Sequence, residues 1–141
     1  MPTDKAIPRI RDAYRVWTPV TLRYSDQDPM QHINNVAITA MLESGRMHLL
    51  AAVLGDALED RGMVLARLAV DYLHEIRFPE PVEVGGRVVR AGGRSLTSQY
   101  AVFQGGRCCV VSECVNVFFD RETRRSCEPS ARAAARLAGW S

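Results

Sequence analysis

At 141 residues the chain is the size of one domain, large enough to bury about two-thirds of its unfolded surface without a metal or disulfide staple. Hydrophobic residues at 47% and charged residues at 24% are ordinary globular values, which excludes long disorder. The formal charge of +2 is spread along the chain, with arginines from Arg9 to Arg136 and no basic run of the kind a nucleic-acid groove needs, so no nucleic-acid partner is expected.

Residues 1–15 carry mixed charge, Pro2 and Pro8 and no sustained periodicity, and read as a loose arm or an edge segment. They contain no apolar core of signal-peptide length, and no stretch of about 18 apolar residues follows, so a soluble, cytoplasmic protein without a membrane partner is expected. Val16, Trp17, Val20, Leu22 and Tyr24 predict a strand, and Pro19 inside it fits an edge. After the polar loop 25–33, Ile38, Met41, Leu42, Gly45, Leu49 and Val53 follow helical spacing, with Asn34 or Asn35 as N-cap and Gly55 as stop. A helix of about 19 residues spans ~28 Å. Gly45 costs it about 1 kcal/mol against Ala, a sign of close backbone approach.

From Met63 the period becomes extended, with Val64, Ala66, Leu68, Val70 and Tyr72 on one face. A turn at Pro79-Glu80-Pro81 leads to strands over 82–90 and 96–104, and Gly105-Gly106 reads as a hairpin connection. Cys109 to Phe119 is apolar on both faces and reads as an interior strand. Pro129 and Ser130 open a short alanine-rich helix within 129–138. Cys108, Cys109, Cys114 and Cys127 lack metal-ligand or disulfide spacing and read as free thiols; no metal is expected. Short connections make neighbouring strands antiparallel, so the prediction is one α+β domain over 1–141, with a single long helix against a curved sheet of about five strands.

The stretch Tyr24-Ser25-Asp26-Gln27-Asp28-Pro29-Met30-Gln31-His32-Ile33-Asn34-Asn35 is the one whose composition packing alone does not explain. Two carboxylates, an imidazole and two amides stand before a helix N-terminus, a place suited to stabilising negative charge. Asp26 can accept from turn amides. His32 either orients Asp28 or an attacking water, or bonds the loop backbone. Glu43 and Arg46 are spaced to pair on the helix, and His48 and His74 read as structural.

The motif Asp28…His32-Ile33-Asn34-Asn35 with Glu43 and Arg46 resembles the pattern DxxxHVNNxxYxxxxExxR of hotdog-fold acyl-CoA thioesterases, in the branch related to 4-hydroxybenzoyl-CoA thioesterase. Val70-Asp71-Tyr72-Leu73 with Pro79 and Gly85 is similar to a second family stretch. Two positions depart from the pattern: Ile38 stands where the family has a tyrosine, and Gly86 where it has an aspartate. The resemblance implies thioester hydrolysis with Asp28 as nucleophile or general base and the Asn35 N–H as oxyanion donor, and it brings in His32 as a catalytic candidate. It implies substrate contacts at Asn34, Ile38, Glu43, Arg94 and Ser95; coenzyme A phosphates call for basic groups, and Arg77, Arg87 and Arg90 are further candidates by type, with solubilising an exposed strand face as their alternative role. Coenzyme A enters as part of the substrate, and no separate cofactor is implied. It also implies a homodimer or homotetramer, in which a partner would cover the second face of the strand around Cys109 to Phe119. A hotdog-fold enoyl-CoA hydratase and a non-catalytic acyl-CoA binding protein are the competing readings.

Overall fold

The computed structural model describes residues 6–141, and they are built around a long helix, α1, Asn35–Leu54. The Asn34 side-chain oxygen accepts from the Ala37 N–H at 2.7 Å, so Asn34 is the N-cap and Asn35 the first helical residue. Gly55 ends the helix with φ at 53°, a conformation that glycine enters without strain. The expected stripe of Ile38, Met41, Leu42, Gly45, Leu49 and Val53 is buried. By length and by a mean hydropathy of 1.2 over its most apolar part, Asn35–Leu58 would pass for a membrane-crossing segment. Its apolar stripe instead faces the sheet.

Five strands, β1 Val16–Val20, β2 Arg61–Tyr72, β3 Val82–Gly92, β4 Ser95–Gln104 and β5 Arg107–Asp120, form one antiparallel sheet in the order β1-β3-β4-β5-β2. Among the described residues β1 pairs only with β3, so the missing N–H of Pro19 is tolerated on the edge, as predicted. The strand stops at Val20, and Tyr24–Asp26 form a 3-10 turn, shorter than the extended run expected to Tyr24. Gly105 and Gly106, with φ of 57° and 80°, make the two-residue hairpin between β4 and β5.

The phase of β2 differs from simple alternation. A bulge between Leu65 and Arg67 moves the following side chains to the other face. Met63, Leu68 and Val70 therefore pack against the core, while Val64 and Leu65 are 48% and 42% exposed.

α1 crosses the sheet at Gly45. A Cβ there would lie 2.5 Å from Val84 Cγ1 and 3.1 Å from Val84 Cβ, so the helix does approach the sheet closely at Gly45, against a side chain rather than the backbone expected. Gly45→Ala is expected to lower stability by about 1–3 kcal/mol through overpacking, against ~1 kcal/mol of regained helix propensity. Thermal unfolding measures it, and adding Val84→Ala should recover most of the loss. Gly86 is similarly confined: a Cβ would meet the Tyr100 ring at 3.1 Å and Leu49 at 3.5 Å. A side chain at this position would press on the Tyr100 ring.

Residues 6–15 are not a loose arm; residues 1–5 of that expectation lie outside the described residues. Arg11–Ala13 form a 3-10 turn, and Ile7 and Tyr14 bury with Ala101, Phe103 and Val111 on the outer face of the sheet. Part of the second face of β5 is thus covered within the chain, Val111 by its own N-terminal segment. β5 is interior, paired with β4 and β2. Cys108 and Cys109 face opposite sides, and all four cysteines are free.

Arg46 turns inward rather than lying on a helix flank. It is 5% exposed, with Nη1 3.7 Å from Cys114 Sγ and Nη2 3.7 Å from Glu43 Oε2. The second helix, α2, Ala131–Ala138, is capped by Ser130. From it the Arg136 guanidinium donates to the Leu54 carbonyl at 2.6 Å, a cation on the negative end of α1.

Candidate active site

The loop before α1 folds on itself through a bridge between Gln27 and Ile33. Inside it the Asp28 N–H donates to the His32 carbonyl at 2.8 Å and the Gln31 N–H to the Asp28 carbonyl at 2.9 Å. The Asp28 carboxylate is held at one oxygen only. Oδ1 accepts from the Met30 and His32 amides at 2.8 and 3.1 Å, and Oδ2 has no hydrogen-bond partner among the described residues. Two fixed donors orient the group and leave the second oxygen available.

Asp26 is committed elsewhere. It is 6% exposed and accepts from the Arg23 N–H at 2.8 Å and from the Arg23 guanidinium at 2.9 and 3.1 Å. The Arg23 amide first, and its guanidinium after it, hold the Asp26 carboxyl below its ordinary value against the effect of burial. It is the structural carboxylate expected of it, and its carbonyl also accepts the Asn34 N–H at 2.9 Å.

The third wall is the segment after β2. The Ile33 N–H donates to the Ile76 carbonyl at 3.0 Å, and between loop, helix tip and this segment opens a cleft of about 280 Å³. Asp28, His32, Asn35 and Ile38 line one side and residues 72–76 the other. The helix N-terminus points into this region with free donors: Asn34 caps the Ala37 amide, while the Asn35 and Val36 N–H groups have no acceptor among the described residues. Orphan first-turn amides and the helix dipole together favour an anion here.

Glu75 is the site residue that sequence reasoning missed. Its Oε2 lies 2.5 Å from His32 Nε2, and its Oε1 is bonded by the Arg77 guanidinium. The Arg77 contact first, and the charges of His32 and Arg107 further, hold the Glu75 carboxyl below its ordinary value. The available signal was a carboxylate immediately beyond a strand that ends beside the loop. His74, read as structural, also lines the cleft, whereas His48 is engaged with Thr18 Oγ1 at 2.7 Å.

Not every residue expected at the site is there. The Asn34 side chain serves the cap and is outside the cleft lining. Glu43 sits two turns along α1 on an open face with Val36, Thr39 and Ala40. Arg94 bonds Ser126, and the Ser95 hydroxyl donates to the Gly92 carbonyl at 3.3 Å. Ser95 pairs with Val117, and Leu73 at the cleft bonds Cys109; at about 3.3 Å per residue the two ends are roughly 25 Å apart along β5. Within one chain Arg94 and Ser95 are therefore remote from Asp28. Among the described residues no group of three His, Cys, Asp or Glu side chains could hold a metal ion.

The model of the thioesterase-like superfamily matches residues 22–137. The chain belongs to that superfamily. Within it, a thioesterase from Thermus thermophilus solved in complex with coenzyme A and zinc is 29% identical, with a TM-score of 0.79 over 88% of this chain and 98% of that one. A predicted thioesterase from Bacillus stearothermophilus is 28% identical, with a TM-score of 0.79 over 88% and 94%. A Pseudomonas aeruginosa protein is 27% identical, with a TM-score of 0.82 over 95% and 97%. A search of curated protein sequences gives no match. The fold of this superfamily member is the hotdog fold, a long helix held in a curved five-stranded antiparallel sheet.

Proposed function

We propose that the protein hydrolyses an acyl-CoA thioester to free acid and coenzyme A. The observation that carries this reading is the pairing, in one cleft, of a half-tethered carboxylate at Asp28 with the first-turn amides of α1 that the Asn34 cap leaves free. Thioester cleavage needs a nucleophile or base and donors for the oxygen that becomes negative. Asp28 Oδ2 serves the first need, by direct attack or by taking a proton from water. The Asn35 and Val36 amides serve the second. Ile38, 4% exposed, gives the acyl group an aliphatic wall where a tyrosine would add a hydroxyl. Coenzyme A as the thiol carrier is supported by the complex of the Thermus thermophilus relative. Arg77 stands near the mouth, and Arg107 is close enough to act on Glu75, so these are the basic groups best placed for its phosphates.

The deciding experiment is a panel of acyl-CoAs assayed with a thiol reagent. Release of free coenzyme A, largest for one acyl class, is the expected result. A change in enoyl absorbance without thiol release would instead indicate a hydratase, and binding with neither would indicate a carrier or regulatory protein.

Assembly through β2 accompanies this reading. Among the described residues the outer edge of β2 has no partner strand, and Val64, Leu65 and Tyr72 are 48%, 42% and 50% exposed. A long apolar edge invites pairing, and Tyr72 also lines the cleft, so a second copy there would help to roof it. Light scattering is expected to report a dimer or tetramer; a stable monomer would contradict the assembly.

A further inference from the structure

Asp28 and the helix amides deal with the attack on the carbonyl and leave the departing sulfur unattended. Of the groups lining the cleft, His32 and His74 carry imidazoles and Tyr72 a phenol. His74 and Tyr72 make no side-chain hydrogen bond among the described residues. His32 is held from two sides. Its backbone clasps Asp28, accepting at 2.8 Å and donating at 3.1 Å. Its Nε2 meets Glu75 at 2.5 Å. Glu75 is fixed by Arg77, whose N–H donates to Gln104 Oε1 at 3.0 Å while Gln104 Nε2 donates to the Arg77 carbonyl at 2.8 Å. The end of β4 thus anchors a chain of contacts that terminates at the His32 ring. With Nε2 occupied, Nδ1 is the ring nitrogen left for a group in the cleft, and it has no partner among the described residues.

Resting on the thioesterase reading, we propose that His32 is the proton donor to the departing thiolate and that Glu75 is a positioning residue acting through it. The doubly protonated ring donates Nε2–H to Glu75 and keeps Nδ1–H for the substrate. When the C–S bond breaks, the electron pair leaves on sulfur, which takes the Nδ1 proton and departs as a thiol. Water then either adds to the carbonyl, with Asp28 taking its proton, or opens an Asp28 acyl anhydride. The proton lost by that water returns to His32. The sum is one thioester and one water giving one acid and one thiol. The arrangement matches the carboxylate–imidazole pairing by which other hydrolases orient a proton carrier.

Two thioesters with the same acyl group test it, one of N-acetylcysteamine, an alkyl thiol, and one of an acidic aryl thiol whose thiolate leaves unaided. His32→Gln is expected to lower kcat on the alkyl thioester by about 100-fold, the scale of general acid catalysis, and on the aryl thioester by less than about fivefold. Glu75→Gln should show the same selectivity at about tenfold, and Glu75→Asp should recover part of it. Equal losses on both substrates in His32→Gln and Glu75→Gln would mark a structural role and overturn the proposal. So would a selective loss in His74→Gln instead. If His32→Gln does not fold, the Glu75 pair carries the test alone. Wild-type protein that releases thiol from no thioester would overturn the thioesterase reading itself, whereas unselective losses in an active enzyme overturn only the assignment of His32 and Glu75.

Discussion

Asp28→Asn is expected to lower kcat for thioester hydrolysis by about 100- to 10,000-fold, the range associated with losing a positioned base or nucleophile. The substitution suits the question because an amide nearly reproduces the carboxylate's shape. Asn Oδ1 can still accept from the Met30 and His32 amides that now hold Asp28, so the loop should keep its form and the thermal midpoint should hold. What disappears is the negative oxygen with no partner. KM should change little, because the lost interaction belongs to the chemical step. Thiol release at saturating substrate measures the effect, and a wild-type rate would remove Asp28 from the chemistry. A single turnover in ¹⁸O-water tests direct attack: label in the Asp28 carboxyl requires an Asp28 acyl anhydride opened at the aspartyl carbonyl, a result that a general-base Asp28 does not give.

The loop that holds Asp28 could be found in the sequence from its composition and its place before a helix, whereas Asp28 itself was singled out within it by the family resemblance. A loop dense in titratable groups stood before a helix with a legible cap, stripe and stop, and the β3-β4-β5 meander followed from its short turns; the place of β2, beyond β5 rather than beside β3 across the Pro79-Glu80-Pro81 turn, did not. Patterns that depend on side-chain type survived into the structure, Gly45 against Val84 most directly. What was illegible depends on backbone path. The bulge at Leu65–Arg67 has no side-chain signature, so alternation put Val64 on the same face as Leu68 and Val70. Ile7 and Tyr14 are isolated apolar residues between prolines and charges, and their burial on the outer face comes from the strands they lie over. Glu75 entered the site because the chain after β2 turns back to the loop, a long-range event that spacing does not encode. For the same reason a motif could suggest Arg94 and Ser95, but only the register of β4 on β5 shows how far they stand from Asp28 within one chain.

Asn35→Pro should be nearly as damaging to catalysis as Asp28→Asn while leaving the fold intact. Asn35 is the first helical residue after the Asn34 cap, the position where proline is best accepted, since its ring presets the helical φ and the N–H it lacks has no helical partner there. Asn34, at φ −75° and ψ 160°, already has the extended conformation that a following proline demands. The Asn35 carbonyl, which accepts from Thr39 Oγ1 at 2.9 Å, is retained. The substitution therefore removes the candidate oxyanion donor almost alone, and losing one such donor typically lowers kcat by about 100- to 1,000-fold. The Asn35 side chain is lost as well, so Asn35→Ala, which keeps the N–H, is the necessary control and should stay within about threefold of wild type, its side chain making no hydrogen bond among the described residues. The difference between the two variants isolates the backbone donor from everything else at position 35. Equal activity of Asn35→Pro and Asn35→Ala, with both folded by thermal melting, would move the oxyanion to the Val36 amide or away from the helix tip altogether.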